Sequence, residues 1–242
     1  MASCAEDTKE ISFKTVKTTE KDYGCESDCA DVSINKTEVV GHDSKSEGIA
    51  DKINQVINES FVHLLTIDED NVQNVNTIDE GVKRFISIYQ EDKNSYPDMA
   101  AKYETSIESE VFHQSENLLS IKILTYNYMG GAHGYSAISY LNFDPKTGEF
   151  IGIDQMINDM DNFTSFVENK FREEYDLPEG TDLSEKFWFD DDVFILPEDM
   201  GFDKNNMVFT YNPYDIAPYA EGTIELKIPI KEVQPFLNRE LK

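Results

Sequence analysis

The hydrophobic pattern of this 242-residue chain changes period partway along, and that change narrows the choice of fold more than any motif does. Ile49, Ile53, Val56, Ile57, Phe61, Leu64 and Leu65 recur at steps of three and four, while Asp51, Lys52, Gln55 and Glu59 take the opposite side. That spacing predicts an amphipathic helix beginning at Ser46. A second stripe, Ile78, Val82, Phe85, Ile86 and Tyr89, is opened by Thr77 with Glu80 three residues later. That pair satisfies the first free amides of a helix from both sides. The helix should end before Pro97, because the residue ahead of a proline avoids helical dihedrals. From Tyr103 the period becomes two, and Tyr103–Val111, Leu118–Tyr128 and Tyr135–Phe143 read as three consecutive antiparallel strands. Asp144-Pro145-Lys146-Thr147-Gly148 then turns the chain.

Shorter signals flank this centre. Ile11–Thr18 and Val32–Val40 read as strands, Asp154–Met160 and Asp161–Tyr175 as helical, Thr223–Ile230 as a late strand, and Lys231–Leu241 as a terminal helix despite Pro235. The expected class is α+β, a mainly antiparallel sheet with packed helices in two small subdomains. The expected organisation is a disordered tether over residues 1–8, an N-terminal subdomain over 9–100 and a C-terminal subdomain over 101–242.

Charge excludes several partners. The chain carries 48 Asp and Glu against 21 Lys and Arg, a net charge of −27. Such a surface repels phosphate backbones and anionic headgroups, and it accelerates encounter with basic proteins. No run of about 18 apolar residues is present, so the pattern offers no membrane span.

The cysteines are Cys4, Cys25 and Cys29. Cys25 and Cys29 flank a turn-favouring stretch with Gly24, Ser27 and Asp28, and can close into a disulfide. Cys4 follows Ala2-Ser3, as a lipid-bearing cysteine does at the end of a bacterial lipoprotein signal. We expect Met1 to replace a removed signal and Cys4 to be the lipid anchor. The expected location is extracytoplasmic, in an oxidising compartment, with the membrane reached only through that anchor.

Two stretches carry a resemblance. One runs Tyr126-Asn127-Tyr128-Met129-Gly130-Gly131-Ala132-His133-Gly134 and on through Asn142-Phe143-Asp144 to Thr147-Gly148. The other is Phe209-Thr210-Tyr211-Asn212-Pro213-Tyr214-Asp215-Ile216-Ala217-Pro218-Tyr219-Ala220-Glu221-Gly222, ending in Ile228-Pro229. Together they resemble the extracytoplasmic domain that closes the RsiV anti-sigma factor and accompanies PdaC-type deacetylases. The helix Ile49–Leu65 and its flanking strands resemble the PdaC-like domain preceding it. The sequence departs from that pattern at Met129, Asp215 and Ile230, where Thr, Glu and an aromatic residue are usual. The resemblance implies a cell-envelope binding module, with a lysozyme as the partner known for RsiV.

The candidate binding residues are Tyr128, Gly130, Gly131, His133, Tyr211, Tyr214, Asp215, Tyr219 and Glu221. Glycines in such a loop either expose amides to a ligand or supply the positive φ of a tight hairpin. Tyrosines beside prolines form either a rigid contact surface or an inward-packed crossover. The acidic groups Asp190-Asp191-Asp192, Asp159 with Asp161, and Asp68-Glu69-Asp70 lack the spacing of a calcium loop and read as solvated loops. His42, His63, His113 and His133 lack metal-ligand spacing. We therefore expect no metal, no cofactor and no catalytic residue. The expected function is non-catalytic binding of a basic, lysozyme-like protein; the alternatives are a cell-wall glycan ligand and, last, an envelope polysaccharide-processing enzyme using Asp144, Asp215 or Glu221.

Overall fold

The structure, a computed structural model, describes residues 11–25, 28–66, 75–178 and 180–241. The expected anchor Cys4, the tether 1–8 and the acidic stretch Asp68–Asp70 lie outside those residues. Strands β1 (Ile11–Thr19), β2 (Asp31–Gly41), β3 (Glu104–Gln114), β4 (Leu119–Tyr128) and β5 (Tyr135–Phe143) form one sheet in chain order. All neighbours pair antiparallel except β2 and β3, which run parallel. A parallel pair needs a long crossover. Here it is supplied by α1 (Ser44–Leu65) and α2 (Ile78–Ser95).

Each helix starts where its sequence provides a cap. The Asp43 carboxylate accepts from the Lys45 and Ser46 amides, and the Thr77 hydroxyl accepts from the Glu80 amide. The apolar stripes Ile49, Ile53, Ile57, Phe61 and Val82, Phe85, Ile86, Tyr89 are buried against Val32, Ile34, Ile107, Ile121, Ile123 and Phe143 of the sheet. This first core therefore runs across residue 100, where the expected subdomain division falls, and the next core begins at Leu118 and Ile151.

The second core surrounds α3 (Ile153–Met156), α4 (Met160–Glu174) and a three-stranded antiparallel sheet of β6 (Asp199–Phe202), β7 (Asn206–Tyr211) and β8 (Ile224–Pro229). Every residue from Met207 to Tyr211 is buried. That matches a strand covered on both faces, whose sequence lacks the apolar–polar alternation of a half-exposed strand. One face meets Phe163, Val167 and Phe171 of α4. The other meets the large sheet, where the Tyr140 hydroxyl lies 3.1 Å from Thr210 Oγ1 and the Asn142 amide donates to the Met200 carbonyl at 3.0 Å.

The α+β class and the mainly antiparallel sheet stand as expected. The terminal helix does not. Only α5 (Ile230–Val233) and one tighter turn at Gln234–Phe236 form, and the chain is irregular from Leu237. Pro235 has no amide proton and ends the helical ladder.

Candidate functional site

The two motif stretches meet at one end of the molecule. Residues 129–134 join β4 to β5, and Gly130 and Gly131 have φ of 87° and 94°. L side chains are strained at such dihedrals, so these glycines serve the turn itself. The Tyr128 hydroxyl donates to the Gly131 carbonyl at 3.2 Å, and His133 Nδ1 lies 2.9 Å from the Gly134 carbonyl. The exposed His133 ring stacks on Tyr219, with centroids 3.8 Å apart and planes 15° from parallel. Tyr214 packs beside Tyr219 at 5.8 Å.

The segment from Asn212 to Glu221 holds its shape by local bonds. The Asn212 amide donates to Asp215 Oδ2 at 2.7 Å, the Asp215 amide to the Asn212 carbonyl at 3.0 Å, and the Tyr214 amide to the Ala217 carbonyl at 3.1 Å. Tyr214 has φ of 78° and is 51% exposed. A bulky residue at positive φ is strained, and such strain gathers where a site fixes a side chain's direction. Asp215, next in the chain, and Glu221 are exposed. Tyr211 is different: it is 3% exposed and its hydroxyl donates to the Ile195 carbonyl at 2.6 Å. It supports this face from beneath and does not present its ring to a partner.

A cleft of about 590 Å³ opens from Asp215 between β5 and the segment around 188–199. That segment alternates. Phe187, Phe189 and Phe194 are buried on an aromatic cluster centred on Phe171, while Trp188, Val193 and Ile195 point outward at 52%, 58% and 58% exposure. The Trp188 amide donates to the Ile216 carbonyl at 2.7 Å, pinning the segment to the tyrosine-rich loop. At the cleft floor, Asn212 replaces a missing strand. Its side-chain oxygen accepts from the Ile138 amide at 2.7 Å, and its amide donates to the Ile138 carbonyl at 3.0 Å and to Asp199 Oδ2 at 2.9 Å.

Burial, with the Asp215 and Glu198 charges adding to it, pushes the Asp199 carboxyl from 3.8 up to about 7. Burial also raises Asp215, with Glu198 adding to it, and burial raises the Tyr135 phenol, helped by Asp215 and Asp199. A carboxyl kept half-neutral near pH 7 inside a cleft marks a candidate site.

Trp188, Glu198, Asp199 and Asn212 were not among the residues expected from the sequence. Asp199 looks like any loop acid in a chain with 48 of them. The in–out alternation of Phe187-Trp188-Phe189 was the available signal. The other acidic candidates have local structural duties. Asp159 caps α4, and Asp192 accepts from the Leu183 and Ser184 amides. Asp144 accepts from the Lys146 amide and pairs with Arg239 at 3.5 Å. Among the described residues, no group of three His, Cys, Asp or Glu is placed to hold a metal, and no helix is long and apolar enough to cross a membrane. Cys25 and Cys29 are joined by a disulfide.

Comparison with known proteins defines the two parts of the chain. Residues 153–231 match the family model DUF3298, a protein family of unknown function, and residues 24–136 match the model described as Deacetylase PdaC. A PdaC-type match thus precedes a DUF3298 match, in the order expected from the helix Ile49–Leu65 and the later motif stretch, while the glycine-bearing stretch through Gly134 falls within the PdaC match rather than the DUF3298 match. A solved member of the DUF3298 family from Bacteroides fragilis has a TM-score of 0.71 at 22% identity, covering 97% of this chain and 96% of its own. A DUF3298 family protein from Pseudomonas aeruginosa has a TM-score of 0.61 at 15% identity, covering 94% of each chain. Both likenesses concern the fold. No curated protein matches the chain.

Proposed function

We propose that this chain is a non-catalytic capture module of the bacterial cell envelope, and that it holds a basic protein such as a lysozyme. The observation that carries this reading is the stack of His133 on Tyr219, which joins the glycine-rich loop and the tyrosine-rich loop into one exposed face with Tyr214, Asp215 and Glu221. Tyrosines fixed by local bonds lose little entropy on contact, which suits an interface. The net charge of −27 raises the encounter rate with a cationic partner and sets a steep dependence on salt. The Cys25–Cys29 disulfide supports an oxidising compartment, and Cys4 is the residue that would hold the chain to the envelope by a lipid.

Calorimetric titration with a lysozyme at low salt tests the reading. Saturable heat that weakens in Tyr214→Ala and Tyr219→Ala, and fades with added salt, is expected; no heat at low salt would end it. A second reading, binding of a cell-wall glycan, is favoured by the outward Trp188 and Tyr214 rings, and a muropeptide titration under the same conditions separates the two.

A further inference from the structure

The cleft behind Asp215 has a chemical imbalance that the capture face does not explain. Among the described residues, Asp190, Glu198, Asp199 and Asp215 line it without an ion pair to any Lys, Arg or His. Two of them are tied to one residue: Asp199 Oδ2 and Asp215 Oδ2 each accept from Asn212, one from its side chain and one from its backbone. Asn212 itself is 6% exposed, and its side-chain amide is spent on Ile138 and Asp199. The same cleft is lined by apolar surface from Ile138, Leu196, Trp188 and Ile195, the last two more than half exposed.

We propose that this cleft is the receptor for a single lysine side chain of the basic partner, with its ammonium between Asp199 and Asp215 and its methylene stem along Trp188 and Ile195. The inference rests on the capture reading above and names the group that is captured. A lysine fits the division of the cleft, since a long side chain lies its stem on apolar surface and carries its charge to the end. Each carboxylate has already committed one oxygen to Asn212. A planar guanidinium fork prefers both oxygens of a single carboxylate, whereas an ammonium donates singly to several.

The groups facing Asp199 are Glu198, Asp215 and the phenols Tyr135 and Tyr140, none of them cationic. A bound ammonium brings the Asp199 carboxyl back down. Uptake therefore releases a proton below about pH 7 and weakens as the pH falls.

Trp188 is the only tryptophan in the chain, so its fluorescence reports on this wall alone. The probe is Nα-acetyl-lysine N-methylamide, titrated at about pH 8, with the norleucine and arginine analogues as controls. A saturable change with the lysine probe is expected. It should weaken about tenfold or more in Asp199→Asn combined with Asp215→Asn, be weaker for the arginine analogue, and be absent with norleucine. No saturable change, or an equal one with norleucine, overturns the proposal. A lysozyme that binds wild type and double variant alike also overturns it while leaving capture intact. Lysine-probe binding without lysozyme binding sustains the cleft and ends the capture reading.

Discussion

Replacing Asp199 by Asn should stabilise the protein, and only in neutral and alkaline solution. The folded chain holds the Asp199 proton up to about pH 7, whereas the unfolded chain releases it near the ordinary 3.8. Between those values folding takes up a proton, so stability falls as the pH rises through this window and levels off above it. Each pH unit of the gap corresponds to about 1.4 kcal/mol, which sets an upper bound of about 4 kcal/mol. Asp199 is only partly buried, and solvent screening reduces this to about 2 kcal/mol. An Asn side-chain oxygen still accepts from Asn212, so the variant loses the charge and keeps the bond. Urea unfolding followed by Trp188 fluorescence between about pH 4 and pH 8 measures both chains. The variant should match wild type at the acid end and exceed it by about 2 kcal/mol at the alkaline end. A variant less stable than wild type at pH 8, or a difference that does not vary with pH, would refute the reasoning.

Further outcomes follow from the same geometry. Asn212→Ala strands the Ile138 amide and carbonyl at the edge of β5 and should cost about 3 kcal/mol, read as a lower urea midpoint without a change in slope. Tyr211→Phe removes the bond to the Ile195 carbonyl and should cost about 1 kcal/mol while leaving the rest of the tyrosine's packing in place. Thr77→Ala removes the cap of α2 and should cost about 1 kcal/mol in thermal unfolding. Reducing the Cys25–Cys29 disulfide opens a small loop and should cost about 2 kcal/mol by denaturant titration with and without reductant.

The elements legible in the sequence are those whose signal is local. The stripes of α1 and α2, the Thr77–Glu80 cap and the alternation of β3 to β5 each follow from residues a few positions apart. β7 was legible only as an apolar piece, because a strand buried on both faces loses the alternation that identifies one. β6, four residues long, gave no sign of its own. The expected division near residue 100 followed the change of period, but β2 and β3 bond across it, and such a parallel pairing leaves no trace in local pattern. At the site, the glycine loop and the tyrosine segment were legible as motifs. Their meeting was not, since the His133–Tyr219 stack depends on how the two sheets pack. Tyr211 and Tyr214, three residues apart, have opposite fates because Tyr211 closes the buried strand β7 whereas Tyr214 sits in the turn that follows it, at positive φ and exposed.

Hydrogen exchange of the chain, alone and with a saturating lysozyme, tests the central claim most directly. Capture at the converged face predicts slowed exchange together in residues 128–134 and 214–221, with α1 and α2 unchanged. Protection confined to the helices, or absent at every residue, contradicts it.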